Sequence, residues 1–348
     1  MPLSSSMIET TVRRMLERAD LGGGQARLAN GVFPSEIWQS VVDVGLPLLL
    51  CPAEIGGIGG SLEEAVEVAQ LCGNGGLPVP LIETMVGNWL CGLAGHEPGE
   101  APVIPVIDVN TRIPTRQEIE SGAARRRAIP GARHAQLATI AEGGANGLCV
   151  GLISGQTHVV EADANLAGEW RDSVDLSNID GSSIGWHDLP ADITRDTILA
   201  WMALLRAAAM VGAMERAAQM SIDYTAQRTQ FGRPLAAFQA IQYMLSTLVT
   251  EVAASRAAVM AAATEPNVER AVFLAAVAKA RAGDAAGIVA AAAHQAHGAM
   301  GFTEEYGLGL ATKRLWSWRS EDGSEGYWCE WLGTRARQTG DLWGVVAA

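Results

Sequence analysis

The first residues whose types and spacing can do chemistry are an arginine and the tight turn that follows it. Arg228 opens the stretch Arg-Thr-Gln-Phe-Gly-Arg-Pro, residues 228–234, at the end of a long apolar segment with helical periodicity. A rigid guanidinium beside such a turn can bind a diphosphate through charge-assisted hydrogen bonds. The same arginine could instead form an ion pair at the end of its helix, so both interpretations stay open.

Two glutamines are further candidates for ligand binding. Gln239 follows the turn directly, and Gln295 opens a second polar and glycine-rich stretch, residues 295–306. A carboxamide donates and accepts hydrogen bonds, so each side chain can bind a diphosphate or a ribose. The alternative for Gln295 is a polar residue whose hydrogen bonds are satisfied inside a helical bundle.

Three zones of the sequence must position these residues. Residues 1–100 have apolar residues every three to four positions and predict an N-terminal helical domain. Residues 101–190 contain short β-type runs between turn sequences and predict a small antiparallel β-domain. Residues 191–348 are rich in alanine and predict a C-terminal bundle of four or five long helices. The predicted fold class is therefore mainly α with a central β-domain.

Local signals mark where several of these helices begin and end. Pro34-Ser35-Glu36 and Ser61-Leu62-Glu63-Glu64 predict helix starts. The glycine-rich stretch 55–60 has neither a preceding strand nor the spacing of a dinucleotide-binding loop, which favours a tight connection between helices. The C-terminal helices are expected to break at residues 232–234, 265–266 and 298–301.

Residues 224–235 and 238–242, Tyr-Thr-Ala-Gln-Arg-Thr-Gln-Phe-Gly-Arg-Pro-Leu and Phe-Gln-Ala-Ile-Gln, closely resemble the signature of flavin-dependent acyl-CoA dehydrogenases. Residues 295–306 resemble the later Gln-x-x-Gly-Gly-x-Gly stretch of the same family. The order of the two motifs and the sequence of helical, β and helical zones also agree. The resemblance covers the whole chain in architecture, and its specific motifs lie in the C-terminal third.

The resemblance implies FAD as the cofactor, bound mainly to a neighbouring subunit. In the family, the arginine and glutamines of the motifs serve the flavin's diphosphate, and the glycines let backbone approach its adenosine end. The alternative for the glycines is that they only end a helix. The cofactor-binding residues carried over are Arg228, Phe231, Gln239, Gln295, Gly298 and Gly301.

The family's catalytic base is a glutamate in a Tyr-Glu-Gly-Thr segment. Counting without gaps from Gly301 places Asp322 at that position, followed by Gly323 and Ser324. The resemblance makes Asp322 the candidate base and Ser324 a further cofactor contact. An aspartate reaches about 1 Å less far than a glutamate, and such a displacement can cost about 10²-fold in rate. The alternative is a solvated loop carboxylate.

Several positions depart from the family's pattern. The segment that covers the flavin ring is missing from the β-domain, where only residues 105–109 are comparable. The Asp-x-x-Arg that touches substrate would fall at Ala200 and Ala203, and Met202 occupies the position of an alternative base. Arg206 lies one turn later and is the candidate substrate-binding residue, with a buried ion pair as the alternative.

The resemblance implies FAD-dependent α,β-desaturation of an acyl-CoA thioester by an oligomer, either a dimer or a tetramer, of one or two kinds of subunit. It also implies an electron-transfer flavoprotein or a similar acceptor as partner. A non-catalytic subunit that contributes FAD contacts to its partner is the alternative. A flavin-free protein that binds CoA thioesters fits less well, because it leaves Arg228 without a role.

Composition restricts the partners and the compartment. The net charge of −13 argues against nucleic acid or an anionic membrane as a partner. The basic cluster 125–127 with Arg133 is interpreted as a solvated loop. Five scattered cysteines without metal-site spacing predict free, mostly buried thiols in a reducing compartment.

The N-terminus has no signal-peptide pattern, so the expected localisation is the cytoplasm. The most apolar segment, 197–214, contains Arg206 and is interpreted as a buried helix rather than a membrane span. The tryptophan-rich tail favours core or subunit packing over a cage for a polycyclic acyl group.

Overall fold

The computed structural model describes residues 5–97, 99–121, 125–144, 147–176 and 184–339. The chain forms two compact units. One comprises residues 1–68 and 77–202, and the other residues 69–76 and 203–348. The division into three domains at residues 100 and 190 stays a prediction.

The N-terminal zone is helical, as predicted. Helix α3 begins at Ser35, and Ser61 and Glu64 form reciprocal hydrogen bonds of 2.7 and 3.2 Å across the start of α4. This capping box satisfies two N–H groups that the helix itself cannot pair. Two 3₁₀ turns, Leu46–Leu48 and Ala53–Ile55, lie between α3 and α4. Residues 55–60 separate two helices, as predicted, but they are part of a connection longer than the tight one expected. The helices are α1 (Ser5–Arg18), α2 (Leu21–Ala29), α3 (Ser35–Asp43), α4 (Leu62–Gly75) and α5 (Leu81–Leu93).

The central zone forms two small sheets, with strand orders β1-β3-β4-β7 and β2-β6-β5. Every pairing is antiparallel except β1 with β3, which run parallel. Ile104, Leu137 and Leu176 are fully buried in the core between them. The elements are β1 (Val103–Val106), α6 (Arg116–Glu120), β2 (Arg125–Pro130), β3 (Gln136–Gly144), β4 (Gly147–Ser154), β5 (Val159–Glu161), β6 (Arg171–Asp175) and β7 (Trp186–Asp188).

The arginine-rich segment is not a solvated loop, so this interpretation was wrong. Residues 125–130 form β2, which pairs with β6. The backbone N–H of Arg133 donates to Asp172 at 3.0 Å, and its guanidinium is ion-paired with the same carboxylate. Asp172 is fully buried and needs a cation as partner. The guanidinium also lies over the Trp170 ring, 4.6 Å from its centroid.

The C-terminal zone has five α-helices within residues 191–339, and they are broken at the predicted positions. By length and composition α7 and α8 are each apolar enough to cross a membrane, but their environments differ. The most apolar window of α7 is 94% buried, which confirms the buried helix predicted at 197–214, whereas only 22% of the window in α8 is buried. The elements are α7 (Arg195–Gln227), β8 (Thr229–Gln230), β9 (Arg233–Pro234), α8 (Gln239–Ala263), α9 (Val268–His297), α10 (Leu308–Trp318) and α11 (Glu325–Thr339).

Two glycines allow the second half of α4 to contact α7 through the backbone. A Cβ atom added to Gly212 would lie 1.9 Å from the carbonyl oxygen of Gln70, and one added to Gly73 would lie 2.0 Å from that of Ala209. Since both obstacles are backbone atoms, no side-chain rotation can relieve the overlap. Glycine is therefore required at both crossing positions.

We predict that Gly212→Ala lowers the free energy of unfolding by about 1–3 kcal/mol, because the added methyl group forces the two helices apart. Urea unfolding of the full chain measures the change. Gly333→Ala in α11 is the matched control, since no atom lies within 4 Å of the added Cβ. The control should be neutral or gain up to about 1 kcal/mol from helix propensity. Equal effects of the two substitutions would contradict the assigned helix contact.

Candidate functional site

A short hairpin follows α7 and presents the first motif. The N–H of Arg228 donates to the carbonyl of Tyr224 at 2.8 Å, which ends the helix, and the carbonyl of Arg228 accepts from Leu235 at 2.8 Å. Phe231 and Gly232 occupy the turn with φ angles of 50° and 80°. Two consecutive positive φ values fit a type I′ turn, the tight connection that pairs two short strands. Phe231 is therefore fixed at the tip, with 89% of its surface exposed.

Arg228 and Gln239 are exposed at either end of this hairpin. Neither side chain forms a hydrogen bond or an ion pair with any residue that the structure describes. The alternative of a helix-end ion pair for Arg228 is thus not formed with any residue of the described ranges. Phe238 precedes α8 without providing a side-chain cap, which leaves N–H groups of the first helical turn open to an anion.

The second motif lies at the end of α9. Gly298 follows the helix with a φ of 59° and a ψ of −139°, a conformation for which glycine is suited. Gly301 is buried, and a Cβ there would lie 3.0 Å from that of His297. Gln295 is exposed and has no hydrogen-bond partner within the described residues, so it is not a satisfied bundle polar.

A cavity of about 530 Å³ opens beside Gln295. The His294 ring stacks on Phe302 at 4.5 Å, and its Nε2 lies 2.8 Å from the Thr312 hydroxyl. Its Nδ1 is buried and has no partner among the described residues. Burial and the neighbouring His297 lower the pKa of His294, which favours a neutral ring. The lining residues are Ala290, Ala291, His294, Gln295, Gly298, Phe302 and Trp316.

Arg206 and Asp322 form an ion pair inside the second compact unit (residues 69–76 and 203–348), called the helical unit below. The guanidinium Nε donates to the Asp322 carboxylate at 2.9 Å, and an Nη atom lies 3.5 Å from Glu321. The exposed fractions of the side chains are 3% for Arg206 and 13% for Asp322. The two predicted residues are therefore brought together as an ion pair, which is the alternative given for Arg206. Asp322 is not a solvated loop acid.

The turn that carries Asp322 is held from several sides. Asp322 has a φ of 54°, and its carbonyl accepts a 2.9 Å hydrogen bond from the buried Trp328 indole. A Cβ on Gly323 would lie 2.4 Å from Trp328 Nε1, so only glycine fits there. Such a left-handed conformation at a non-glycine residue costs about 1–3 kcal/mol and persists because its surroundings impose it.

Lys279 of α9 holds the same turn and was missed by the sequence analysis. Its ammonium group donates to the carbonyl of Arg319 at 3.0 Å and to that of Gly323 at 2.6 Å. The residue is fully buried, and this burial lowers its pKa to about 8 despite the nearby Asp322. The sequence signal was a single lysine among the alanines of α9, where a buried cation needs specific partners.

Ser324 caps the N-terminus of α11. Its hydroxyl oxygen accepts from the N–H of Tyr327 at 3.3 Å, and its carbonyl accepts from Trp328 at 3.1 Å. Both bonds belong to the N-terminal cap of α11. A cofactor contact of Ser324 stays a prediction. The site thus has two parts with different chemistry: an exposed part with free polar groups, and a buried part whose charges neutralise one another.

Comparison with known proteins identifies a matching family and several relatives. Residues 192–336 match the family described as acyl-CoA dehydrogenase, C-terminal domain. The chain is 28% identical over 284 residues to the acyl-CoA dehydrogenase IpdE2 of Mycobacterium tuberculosis, and the match covers 81% of this chain and 80% of that protein.

Two solved structures share the fold. The Tcur3481-Tcur3483 steroid ACAD G363A variant superposes with a TM-score of 0.80 at 19% identity, covering 97% of this chain and 99% of that one. PigA with FAD and proline superposes with a TM-score of 0.74 at 16% identity, covering 98% of each chain. At these identities the likeness concerns the fold alone.

We predict that Lys279 makes stability depend on pH between about 8 and 10.5. The folded chain releases this proton at the lower pH and the unfolded chain only at the higher one. The unfolded state therefore binds more protons in between, and stability rises with pH by about 3 kcal/mol. Thermal unfolding across this range, compared with Lys279→Met, isolates the contribution from other titrating groups. Parallel pH profiles of the two proteins would contradict the assignment.

Proposed function

We propose that this chain, whose residues 192–336 match the C-terminal domain of acyl-CoA dehydrogenases, is a subunit of an oligomeric, FAD-dependent enzyme that introduces an α,β double bond into an acyl-CoA thioester. The observation that carries this proposal is the set of free, exposed polar side chains at both motifs. Arg228, Gln239 and Gln295 are exposed, and their side chains have no hydrogen-bond partner in the part of the chain that the structure describes.

These groups suit the nucleotide end of FAD. A guanidinium and the open start of α8 match a diphosphate, and carboxamides match ribose and phosphate oxygens. Apart from the neighbouring residues in sequence, no described atom lies within 4 Å of a Cβ placed on Gly298, so the backbone there is open to close approach. PigA, which shares the fold, is described with FAD. When bound, FAD supplies the acceptor for the hydride that leaves the substrate's β-carbon.

The same geometry supports an assembly of several chains. The N-terminal half of α8 exposes 77% of Tyr243 and 52% of Val249, close in sequence to the exposed Phe231. Apolar surface of this extent is typical of contacts with another chain. We therefore place the α8 face in a dimer or tetramer, with the motif residues contacting FAD held largely by the neighbouring subunit.

The substrate and acceptor are further parts of the proposal. The reaction requires an acyl-CoA thioester and an electron acceptor such as electron-transfer flavoprotein. The Tcur3481-Tcur3483 protein is described as a steroid ACAD, which makes a steroid-derived acyl group one candidate. Trp318 and Trp328 are buried in the bundle, so these two tryptophans serve packing rather than an acyl cage. A cytoplasmic location stays a prediction.

The base must remove a weakly acidic proton α to the thioester carbonyl. Asp322 is the carboxylate at the position of the family's catalytic base. Its carboxylate accepts a hydrogen bond of 2.9 Å from Nε of Arg206 and is therefore already paired. Accepting a proton requires this buried pair to separate, which leaves a guanidinium without its principal partner. Arg206 is likewise engaged, so its contact with substrate stays a prediction.

The buried pair favours a second candidate function. A chain whose base position is neutralised internally can serve as a non-catalytic subunit. It would contribute Arg228, Gln239 and Gln295 to the FAD site of a partner chain that carries its own base. The absence of the family's flavin-covering segment from the sequence agrees with this role.

We predict that Arg228→Ala weakens FAD binding about ten- to a hundredfold, the value of a charge-assisted hydrogen bond to phosphate. Flavin fluorescence during titration of the flavin-depleted assembly measures the dissociation constant. Arg216→Ala is the matched control, because Arg216 is also exposed on α7 but lies outside the motif. If both variants retain wild-type affinity, the FAD assignment fails.

We predict that, if this chain holds the base, Asp322→Asn slows flavin reduction by substrate at least about 10²-fold without loss of FAD. Asp322→Glu restores the longer reach and should be faster than the asparagine variant. Glu321→Gln is the control for disturbance of the ion pair, since it removes the other carboxylate beside Arg206. Wild-type rates for the asparagine variant in an active mixed assembly would assign the chemistry to the partner chain.

A further inference from the structure

An aromatic cluster of one buried and two half-buried rings lies between the ends of α7 and α9. His297 is the last residue of α9 and is 3% exposed. The Tyr224 ring, in the last turn of α7, stacks on the His297 ring with centroids 4.6 Å apart and an interplanar angle of 26°. Tyr306 packs edge-on against Tyr224 at 5.9 Å and lies 5.0 Å from His297.

Hydrogen bonds fix the orientation of the imidazole. Its Nδ1 lies 2.8 Å from the carbonyl oxygen of Ala293, and a carbonyl can only accept, so Nδ1 carries the hydrogen. Nε2 lies 3.1 Å from the Tyr306 hydroxyl, which donates to it when the ring is neutral. Burial, together with Tyr224 and Asp223, raises the pKa of Tyr306, so the phenol keeps the proton that it donates.

The two ends of this cluster are directly linked to the residues proposed to bind FAD. The carbonyl of Tyr224 accepts the N–H of Arg228, and His297 lies two residues after Gln295 on the same helix. A shift of the Tyr224 ring relative to His297 would therefore change the separation of the arginine from the glutamine. Two groups that bind one rigid diphosphate must keep their spacing to about 0.5 Å.

We infer that His297 is a positioning residue for the nucleotide end of FAD, which it serves by joining the ends of α7 and α9. This inference rests on the proposed FAD site. Histidine meets three requirements together: a flat ring for Tyr224, a donor for Ala293 and an acceptor for Tyr306. Phenylalanine meets only the first.

The test is a double-mutant cycle on FAD affinity in the full-length assembly. His297→Phe should raise the dissociation constant of FAD about tenfold in the wild-type background. The same substitution in Arg228→Ala should raise it less than about threefold, because the residue to be positioned is missing. Tyr306→Phe, which removes only one hydroxyl, should raise it about threefold, and Tyr224→Phe, which keeps the stacked ring, should leave it unchanged.

Equal losses in both backgrounds would show a general effect on stability and overturn the inference, as would unchanged affinity of His297→Phe. If His297→Phe fails to fold, the cycle between Tyr306→Phe and Arg228→Ala decides by the same criterion. An effect of His297→Phe without any effect of Arg228→Ala overturns both the cycle and the FAD site as assigned. A wild-type assembly that binds no FAD overturns the proposed function and this inference with it.

Discussion

The turn between α10 and α11 depends on how two of the helical unit's buried cations are satisfied. Arg206 on α7 and Lys279 on α9 lie among apolar residues, where an unpaired charge would cost several kcal/mol. Both contact the turn between α10 and α11. Arg206 forms ion pairs with the two carboxylates of this turn, and Lys279 donates hydrogen bonds to two of its backbone carbonyls. The conformation of that turn, with Asp322 at positive φ, follows from these contacts.

This arrangement separates the polar residues of the unit into two classes. The charged residues around Asp322 are paired with one another within the chain, so their charges are compensated without any ligand. Those of the two motifs, Arg228, Gln239 and Gln295, are exposed and have no partners among the residues with described positions. Water satisfies exposed polar groups, so the match of these three positions to the family's motifs is what supports our proposal of a ligand from outside the chain.

Features that depend only on neighbouring residues in the sequence were predicted correctly. The motif around Arg228 is continuous, its turn needs a glycine, and the helix breaks are marked by glycine and proline, so the positions were predictable. The pairing of Arg206 with Asp322 joins residues that are 116 positions apart, and no local pattern specifies it. Strand β2 was missed because three consecutive arginines hide the alternation of a strand, and the partner of Arg133 is supplied only by the fold.

The exposed apolar face of α8 has a consequence for how the protein can be produced. The contact that would cover this face is non-directional, so any apolar surface met first can take its place. In the assembly that we propose, a chain made in excess of its partner leaves this face uncovered and open to self-association. Balanced synthesis of the subunits would then be a requirement for producing the assembly.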